Sequence, residues 1–309
     1  MKKIAFICKD GLENFLVDLC NELSSYFEIS LFLVRSKEEV DKAVQYGDIV
    51  WFEWADDITI YGSQSPIVRH KKSVVRLHRY EAFTHMPINI DWSAISCLVL
   101  VNDAMREVVR RAIGNKSIFI KQTKVIHNGV NLDRYTFGQH RPGHNIAWVG
   151  HINARKNLPL ALQIIKCLVG LDCRYVLHIA GDFQDFEQEL YARYFVMNNR
   201  LENNVIFHGW VNDINAWLDD KSYLLSTSIH ESFGYAIAEA MAKGIKPIIH
   251  EFHGAYALWS PDHLFFNIDS AISKITKGSY EPVKYRQFIE DTYSLNRQVN
   301  STREMLEGL

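Results

Sequence analysis

The strongest constraint on the fold is an alternation of short apolar runs with longer amphipathic stretches along most of the 309 residues. This pattern is typical of an α/β chain whose parallel strands are covered by helices on both faces. In the first half it predicts six strands, at residues 4–8, 29–34, 49–53, 74–78, 97–101 and 124–127. Between strands, helical periodicity is clearest at residues 13–24 and 104–113.

Residues 136–145 break the rhythm with two glycines, a proline and polar side chains, which is typical of an interdomain linker. A second α/β series then follows, with strands predicted at 146–149, 175–180, 205–207, 223–226 and 245–249, and helices at 158–169, 186–196 and 234–243. The sequence therefore predicts two Rossmann-like domains, 1–138 and 139–309. The polar, helical pattern after residue 285 leaves open a return of the last helices to the first domain.

Composition excludes several classes of protein. Hydrophobic residues make up 48% and charged residues 23%, which is ordinary for a globular chain, and a net charge of -2 gives no basic field for nucleic acid. Apolar stretches stay below the roughly 18 residues of a membrane span, and the first is too short for a signal peptide. Five cysteines lack metal or redox spacing, so we expect reduced, buried thiols in a cytoplasmic protein.

Familiar nucleotide and catalytic signatures are missing from the sequence. The turn after the first strand has one glycine, Gly11, which argues against a pyrophosphate site of the G-x-G-x-x-G type. P-loop, G-x-S-x-G, kinase and H-E-x-x-H patterns are absent as well. Because there is also no D-x-D, the sequence suggests no carboxylate-held metal and no cofactor.

The most informative block, residues 226–249, is predicted to form a strand, a loop, a helix, a glycine stop and a strand. Ser232, Phe233 and Gly234 stand where the helix begins, so backbone N–H groups are expected to face phosphate or sugar hydroxyls. Glu231 and Glu239 are separated by roughly 12 Å at helical rise, too far for a glycosidase pair at about 5–9.5 Å. The spacing suits the two ends of an elongated polyhydroxylated ligand, although a solvated helix face has the same spacing.

The order of residues in this block resembles the E-x7-E signature of retaining GT-B glycosyltransferases, family 4 (glycosyl transferases group 1). That signature runs approximately P-S-x-x-E-x-F-G-x-x-x-x-E-A-M-A-x-G-x-P-V. Nine positions match in register: Ser228, Glu231, Phe233, Gly234, Glu239, Ala240, Met241, Ala242 and Gly244; Pro247 stands one residue after the position of the signature's second proline. Thr227 stands in place of the first proline.

Further segments share the resemblance. Residues 125–135 are similar to the family's N-G-V-D segment, and 177–182 and 205–211 also match in position. Residues 149–157, which begin Val149-Gly150, resemble its G-R-L-x-x-x-K-G loop. Lys156 falls on the family lysine, whereas His151 replaces the arginine and Asn157 the glycine. The resemblance implies that Gly150 and Lys156, with Arg155 or His151, hold the donor diphosphate. For Arg155 two alternatives stay open: its side chain supplies the missing guanidinium, or it points to solvent.

In the first domain the resemblance implies one site residue and leaves one surface open. Residues 74–81 are similar to the family strand that ends in a histidine facing the transferred sugar, here His78. A satisfied structural histidine is the alternative. The second feature is a local basic patch, formed by Arg69, His70, Lys71, Lys72, Arg106, Arg110, Arg111, Lys116 and Lys121. It is consistent with a solvated helix face, or with contact to an anionic acceptor or the inner face of a membrane.

The resemblance implies a metal-independent, retaining glycosyltransferase of glycan biosynthesis, with its donor on the second domain and its acceptor side on the first. It would move a sugar from a nucleotide-diphosphate donor to a hydroxyl of a glycan, a lipid-linked or a small-molecule acceptor. Glu239 would bind the ribose, while Glu231 and the backbone at Ser232, Phe233 and Gly234 would bind the sugar. The alternative is a catalytically weak GT-B protein that binds a nucleotide sugar for a partner enzyme. The base, sugar, acceptor and linkage stay open.

Overall fold

The computed structural model describes residues 1–309, apart from the side chain of Phe15, and its chain forms two compact units. Unit 1 comprises Met1–Gly129 and Leu295–Leu309, and unit 2 comprises Val130–Ser294. The strands are β1 (Lys3–Lys9), β2 (Glu28–Val34), β3 (Ile49–Glu53), β4 (Lys72–Leu77), β5 (Cys97–Leu100), β6 (Thr123–Val125), β7 (Asn145–Val149), β8 (Val176–Ala180), β9 (Val205–Gly209), β10 (Tyr223–Ser226), β11 (Lys246–His250) and β12 (Leu264–Phe265).

Helices connect these strands, and short 3-10 turns lie between several of them. The α-helices are α1 (Val17–Leu23), α2 (Lys37–Tyr46), α3 (Asp57–Ser63), α4 (Arg79–Ala82), α5 (Met105–Ile113), α6 (Leu158–Leu171), α7 (Phe186–Asn198), α8 (Ile214–Trp217), α9 (Tyr235–Ala242), α10 (Ile268–Thr276), α11 (Pro282–Tyr293) and α12 (Leu295–Glu307). Within the described residues, no helix combines the length and apolar character needed to cross a membrane.

Unit 1 is a parallel sheet in the order β2-β1-β3-β4-β5-β6. Its strands bury alternate residues on opposite faces: Ala5 and Ile7 pack into one core, while Ile4 and Phe6 pack into the other. The second core also contains residues of α12, so the last helix completes unit 1. Burial on both faces explains why these strands are almost uniformly apolar.

Unit 2 repeats this design with the parallel order β12-β11-β10-β7-β8-β9. On β7, Ile146 and Trp148 enter a core shared with α6, α7 and α10, and Ala147 enters the core shared with α9 and α11. The chain therefore contains two doubly wound sheets of six strands each.

The units divide earlier than the composition break indicates. Residues 130–138 were expected at the end of the first domain, yet they lie in unit 2. Backbone hydrogen bonds hold them there: the Val130 N–H donates to Tyr293 O at 2.8 Å and the Gly138 N–H to Lys243 O at 3.0 Å. The boundary between the units therefore precedes the glycine-containing, polar segment, because hydrogen bonds connect residues 130–138 to the end of α9 and to α11.

Eleven predicted strands are present with ends shifted by a few residues, and the long predicted helices occur as well. The two-residue β12 was not predicted, because so short a strand cannot show a hydrophobic period. The helix α10 was not predicted either. The expectation of buried thiols is wrong for Cys167 and Cys173, which are exposed, whereas Cys8, Cys20 and Cys97 are buried. All five are free.

Candidate functional site

Two loops of unit 2 meet at the carboxyl edge of its sheet. Strands β7 and β10 are neighbours, but the chain continues from β7 to β8 on one side and from β10 to β11 on the other. Such a reversal of strand order opens a crevice at the carboxyl ends, where open α/β sheets bind ligands. The loops that follow β7 and β10 flank this crevice.

The loop after β7 is held against the loop after β8 by backbone hydrogen bonds. The Gly150 N–H donates to Ala180 O at 3.0 Å, and the Ile152 N–H donates to Asp182 O at 2.8 Å. Gly150 has φ 141° and Gly181 has φ 137°, a region that essentially only glycine occupies. A Cβ on Gly181 would stand 2.1 Å from Gly150 O. Glycine at this point therefore lets the two backbones approach closely.

Side chains then tie this loop to the one after β10. Thr227 Oγ1 donates to Lys156 O at 2.8 Å and accepts from Trp148 Nε1 at 3.0 Å. The Ile229 N–H donates to Arg155 O at 2.9 Å. The cations at the end of the first loop are thereby placed beside the second loop, although about 75 residues separate them in sequence.

Glu231 is the centre of the resulting cluster. Its Oε1 accepts hydrogen bonds from Lys156 Nζ at 2.7 Å, Arg155 NH1 at 2.7 Å and Ser228 Oγ at 2.8 Å. Its side chain is 12% exposed, against 17% for Lys156 and 26% for Arg155. Of the two alternatives for Arg155, the structure therefore directs the guanidinium into the cluster and not toward solvent.

The ionisation of Glu231 is set by two opposing effects. Burial alone would raise its pKa, but the charges of Lys156 and Arg155, with hydrogen bonds from Lys156 and Ser228, lower the pKa to about 2. Glu231 is therefore an anion at neutral pH. Two cations share this one anion, so the cluster keeps an excess positive charge that suits a phosphate group.

Glu239 lies inside α9 and has a different partner. The Tyr135 hydroxyl donates a hydrogen bond to its carboxylate, which lies near enough to Lys156 to feel that charge. Burial nevertheless raises the pKa of Glu239, because it outweighs both effects. Burial, followed by the Glu239 charge, raises the pKa of the Tyr135 hydroxyl far above its ordinary value. The two carboxylates thus occupy separate environments.

The remaining residues of the predicted site fall into two groups. Gly234, at φ 97°, is the N-cap residue immediately before α9, and the Phe233 side chain next to it is 1% exposed, packed edge-on against Tyr293. Phe233 and Gly234 thus offer backbone rather than side chains, with Ser232 preceding them. His151 is exposed, and its ring stacks on Trp210 at 5.5 Å between centroids. Of the two candidates His151 and Arg155, it is Arg155 that contacts Glu231.

His78 lies in unit 1, at the carboxyl end of β4. Its side chain is 5% exposed, and Nε2 lies 2.6 Å from Oε1 of Glu53, which also pairs with Arg76 at 3.3 Å. The ring packs on Trp54 at 4.2 Å between centroids. Burial opposes ionisation of Glu53, but Arg76 and His78 lower its pKa. His78 thus belongs to a buried charged network, and its role in catalysis stays a prediction.

The basic patch of the first domain separates into two kinds of cation. Lys71 Nζ donates to three backbone carbonyls, the nearest being Gly47 O at 2.5 Å, and Arg69 pairs with Asp91. These side chains are used within the fold. The cations of α5 and the segment after it are exposed: Arg106, Arg110, Arg111, Lys116 and Lys121.

Sequence reasoning missed three side chains of this region. Tyr135 and Trp210 stood within matched segments, and Ser228 within the E-x7-E block, but no role was assigned to them. Trp210 is 62% exposed directly after β9, which is unusual for so large an apolar ring. The signal that could have identified it is position, since it follows a strand whose carboxyl end lies at the crevice edge of the sheet.

Comparison with known proteins matches part of the same unit to a family of glycosyltransferases. Residues 143–263 match the family described as Glycosyl transferases group 1. Over 137 residues the chain is 27% identical to a GDP-mannose:cellobiosyl-diphosphopolyprenol alpha-mannosyltransferase of Xanthomonas campestris, a match that covers 43% of this chain and 36% of that protein. The chain thus spans about a third of the length of this curated relative.

Solved structures match the whole chain. Alr3699/HepE of Anabaena, crystallised in complex with UDP, has a TM-score of 0.79 at 17% identity and covers 100% of both chains. Sucrose-phosphate synthase of Thermosynechococcus elongatus has a TM-score of 0.77 at 13% identity, covering 100% of this chain and 99% of that one. The fold is that of the GT-B class. The predicted fold class is therefore confirmed by two six-stranded parallel sheets with flanking helices.

Proposed function

We propose that this protein is a glycosyltransferase that moves a sugar from a nucleotide-diphosphate donor to a hydroxyl of a glycan, a lipid-linked or a small-molecule acceptor. The observation that carries the proposal is the convergence of Lys156, Arg155 and Ser228 on Glu231 at the crevice of unit 2. Two cations and a carboxylate at one point match a ligand that has a diphosphate beside sugar hydroxyls. The match of residues 143–263 to the group 1 transferases supports the same chemistry.

In the proposed reaction the acceptor hydroxyl attacks the anomeric carbon, and the bond from that carbon to the phosphate oxygen breaks. The hydroxyl releases its proton to solvent, and the nucleoside diphosphate leaves with one more negative charge than it carried in the donor. Lys156 and Arg155 would offset that charge as it develops, which is where fixed cations accelerate a reaction most. Retention of anomeric configuration is proposed from the family resemblance, and NMR of the product's anomeric proton tests it.

The two carboxylates and the residues around them are assigned to different parts of the donor. We assign Glu231 to the sugar hydroxyls and Glu239 to the ribose, with Gly150, His151, Ser232, Phe233 and Gly234 lining the donor site. Trp210 adds an exposed ring beside His151 that suits stacking on a base. His78 is proposed as the residue of unit 1 that contributes to transfer.

A membrane-facing role is proposed for the exposed cations of α5. They lie beside two exposed apolar side chains, Ile118 at 79% and Phe119 at 50%. Basic and apolar groups together favour an anionic bilayer surface, which attracts the charges and accepts the apolar groups. Glu107 pairs with Arg110 and Arg111, so part of this charge is offset. Sedimentation with phosphatidylglycerol vesicles, compared with an Arg106→Ala/Lys116→Ala variant, tests the contact. The site of action would then be the cytoplasmic face.

A thermal-shift screen with UDP-, GDP- and ADP-sugars tests the proposed donor. A ligand at 100 times its dissociation constant stabilises the folded state by about 2.7 kcal/mol. Glu239→Ala should weaken binding of the free nucleoside diphosphate by roughly 1.5–3 kcal/mol, since a hydrogen bond to a charged group is lost. Glu202→Ala, at an exposed glutamate, is the matched control.

The release of nucleoside diphosphate then separates enzyme from binding protein. Faster release when an acceptor is present supports the transferase. Tight binding of a nucleotide sugar without release supports the alternative, a protein that binds it for a partner enzyme. If no nucleotide sugar shifts the unfolding temperature, both assignments are wrong.

A further inference from the structure

A second pocket of unit 2 lies away from the residues assigned to the donor. It has a volume of about 530 Å³ and is lined by Lys246, Asp262, Lys274, Lys277, Glu281 and Lys284, among others. We call it the Lys246 pocket. Lys246 is the first residue of β11, whereas His250, the last, contacts Ser228 O of the donor loop at 3.2 Å. Four residues of a strand span about 13 Å, so the two sites lie toward opposite edges of the sheet.

Lys246 is a buried cation with few partners. The residue is only 3% exposed, yet it lines the pocket. Its Nζ donates to Lys274 O at 2.5 Å, near the end of α10, and among the described side chains no carboxylate pairs with it. An ammonium has three donors, so this carbonyl leaves two without a protein acceptor. Burial, and then the charge of Lys274, lower the pKa of Lys246 to about 8.

The other cations of the pocket add to this positive charge. Lys274 Nζ donates to two carbonyls, Asp262 O at 2.7 Å and Pro261 O at 3.4 Å. Lys277 is exposed, and Lys284 pairs with Glu281 at 2.5 Å. Four lysines thus face two carboxylates, those of Asp262 and Glu281, and among the described side chains only Lys284 forms an ion pair with either. The pocket carries an excess of positive charge around a buried donor.

We propose that the Lys246 pocket binds a phosphate-bearing ligand, with the Lys246 ammonium donating to the phosphate oxygens. Phosphate supplies the acceptors and the negative charge that this ammonium lacks within the protein. Lys274 and Lys277 stand at the same rim and would contribute further charge. The volume falls in the range of about 300–1,000 Å³ for small-molecule sites, so the ligand is larger than phosphate alone. This inference does not depend on the proposed transferase activity.

The ligand's phosphate could belong to a soluble metabolite or to a lipid headgroup, and two probes distinguish them. Backbone amide NMR of the deuterated full chain during titration with inorganic pyrophosphate reports both sites at once. Residues 274–278 belong to the Lys246 pocket, whereas residues 150–156 belong to the donor loop. Sedimentation with phosphatidylcholine vesicles, with and without phosphatidic acid, tests the lipid source.

We expect saturable shifts at residues 274–278 that Lys246→Met weakens by about 10- to 100-fold, while shifts at 150–156 persist. Lys277→Ala removes an exposed cation of the pocket, so it should fold normally and weaken binding less. Lys166→Ala, an equal charge change at an exposed residue of α6, should leave both sets of shifts unchanged.

The titration and the vesicle experiment each have an outcome that supports the proposal and one that overturns it. Pyrophosphate shifts that depend on Lys246 support a soluble ligand, and vesicle binding that depends on Lys246 supports a headgroup. The proposal is overturned if residues 274–278 do not shift and Lys246→Met leaves vesicle binding unchanged. It is equally overturned if Lys246→Met and Lys277→Ala both bind as the wild type does.

Discussion

At the scale of single residues, one oxygen decides the character of the proposed donor site. Oε1 of Glu231 accepts three hydrogen bonds, two of them from cations. A diphosphate would compete with this oxygen for Lys156 and Arg155. If the cations move to the diphosphate, Glu231 becomes available to sugar hydroxyls. Glu231 would thus couple binding of the leaving group to orientation of the sugar.

Replacing Glu231 should therefore separate turnover from nucleotide affinity. Glu231→Gln keeps the shape of the side chain but removes the charge that the proposed reaction places near the anomeric carbon, where positive charge develops during transfer. Turnover should fall on the order of 10²–10³, as when a preorganised group is removed. Free nucleoside diphosphate should bind at least as well as to wild type, because a competitor for its cations has gone. Steady-state kinetics and calorimetric titration measure the two effects.

Glu202→Gln provides the control for this experiment, since it changes an exposed glutamate and should alter neither quantity. Full turnover of Glu231→Gln combined with lost nucleotide affinity would contradict the assignment. That result would place Glu231 at the nucleotide and not at the sugar.

Stability should also depend on pH through Glu231. Its folded pKa, about 2, lies below its ordinary value of 4.5, so its contribution is complete above about pH 5 and is lost as pH falls toward 2. The shift corresponds to roughly 3 kcal/mol, of which about 1 should be lost by pH 4 and about 2 by pH 3. Scanning calorimetry of wild type and Glu231→Gln should show a stability difference that narrows on acidification. A difference that stays constant from pH 7 to pH 3 would show that Glu231 does not keep this low pKa.

At the scale of elements, the site depends on how closely two loops approach. The loop after β7 carries the cations, and its backbone packs on the loop after β8 at Gly150 and Gly181. This contact places residues 151–156 at the crevice. The loop after β8 therefore helps to position the proposed donor site.

Gly181→Ala should test this packing directly. A Cβ would approach Gly150 O to 2.1 Å at a φ of 137°, so the change should destabilise β7 and β8 by at least about 2 kcal/mol. Native-state hydrogen exchange at those two strands measures the loss. Gly170→Ala is the matched control: its Cβ meets nothing within 4 Å in α6, and it should stabilise the helix by about 0.5–1 kcal/mol. Equal effects of the two changes would refute the packing argument.

At the scale of the whole molecule, the two units offer different chemistry. Unit 2 places Lys156 and Arg155 at the crevice of its sheet, whereas unit 1 buries its charged network of Glu53, Arg76 and His78. The cations that would neutralise a leaving diphosphate in the proposed reaction therefore belong to unit 2. In the proposed reaction they do the work that a divalent metal does in enzymes with a D-x-D motif.

Transfer should accordingly continue in excess chelator. Release of nucleoside diphosphate, measured with and without EDTA, should be the same within error. Lys156→Ala should lower turnover at least about tenfold in both conditions, because its charge is needed in each. Loss of activity in EDTA that magnesium or manganese restores would contradict the metal-independent proposal.

Local sequence determined the elements and the order of the loops. Apolar runs with a strand or helix period identified eleven strands and most long helices, because such periods depend only on neighbours along the chain. The E-x7-E block likewise placed Glu231 before a helix and Glu239 within it, as the structure has them. Position within a motif was enough for these assignments.

Only the tertiary structure decided which side chains meet. Arg155 reaches Glu231, and Tyr135 reaches Glu239, because strand order makes β7 a neighbour of β10 and hydrogen bonds fasten residues 130–138 to unit 2. The local sequence is equally compatible with an Arg155 side chain that points to solvent, so it could not predict the contact with Glu231. The burial of the Lys246 ammonium could not be predicted from the sequence either, since nothing nearby in the sequence shows that α10 ends beside it. Local periods constrain each element by itself, whereas contacts between distant residues depend on how the elements pack.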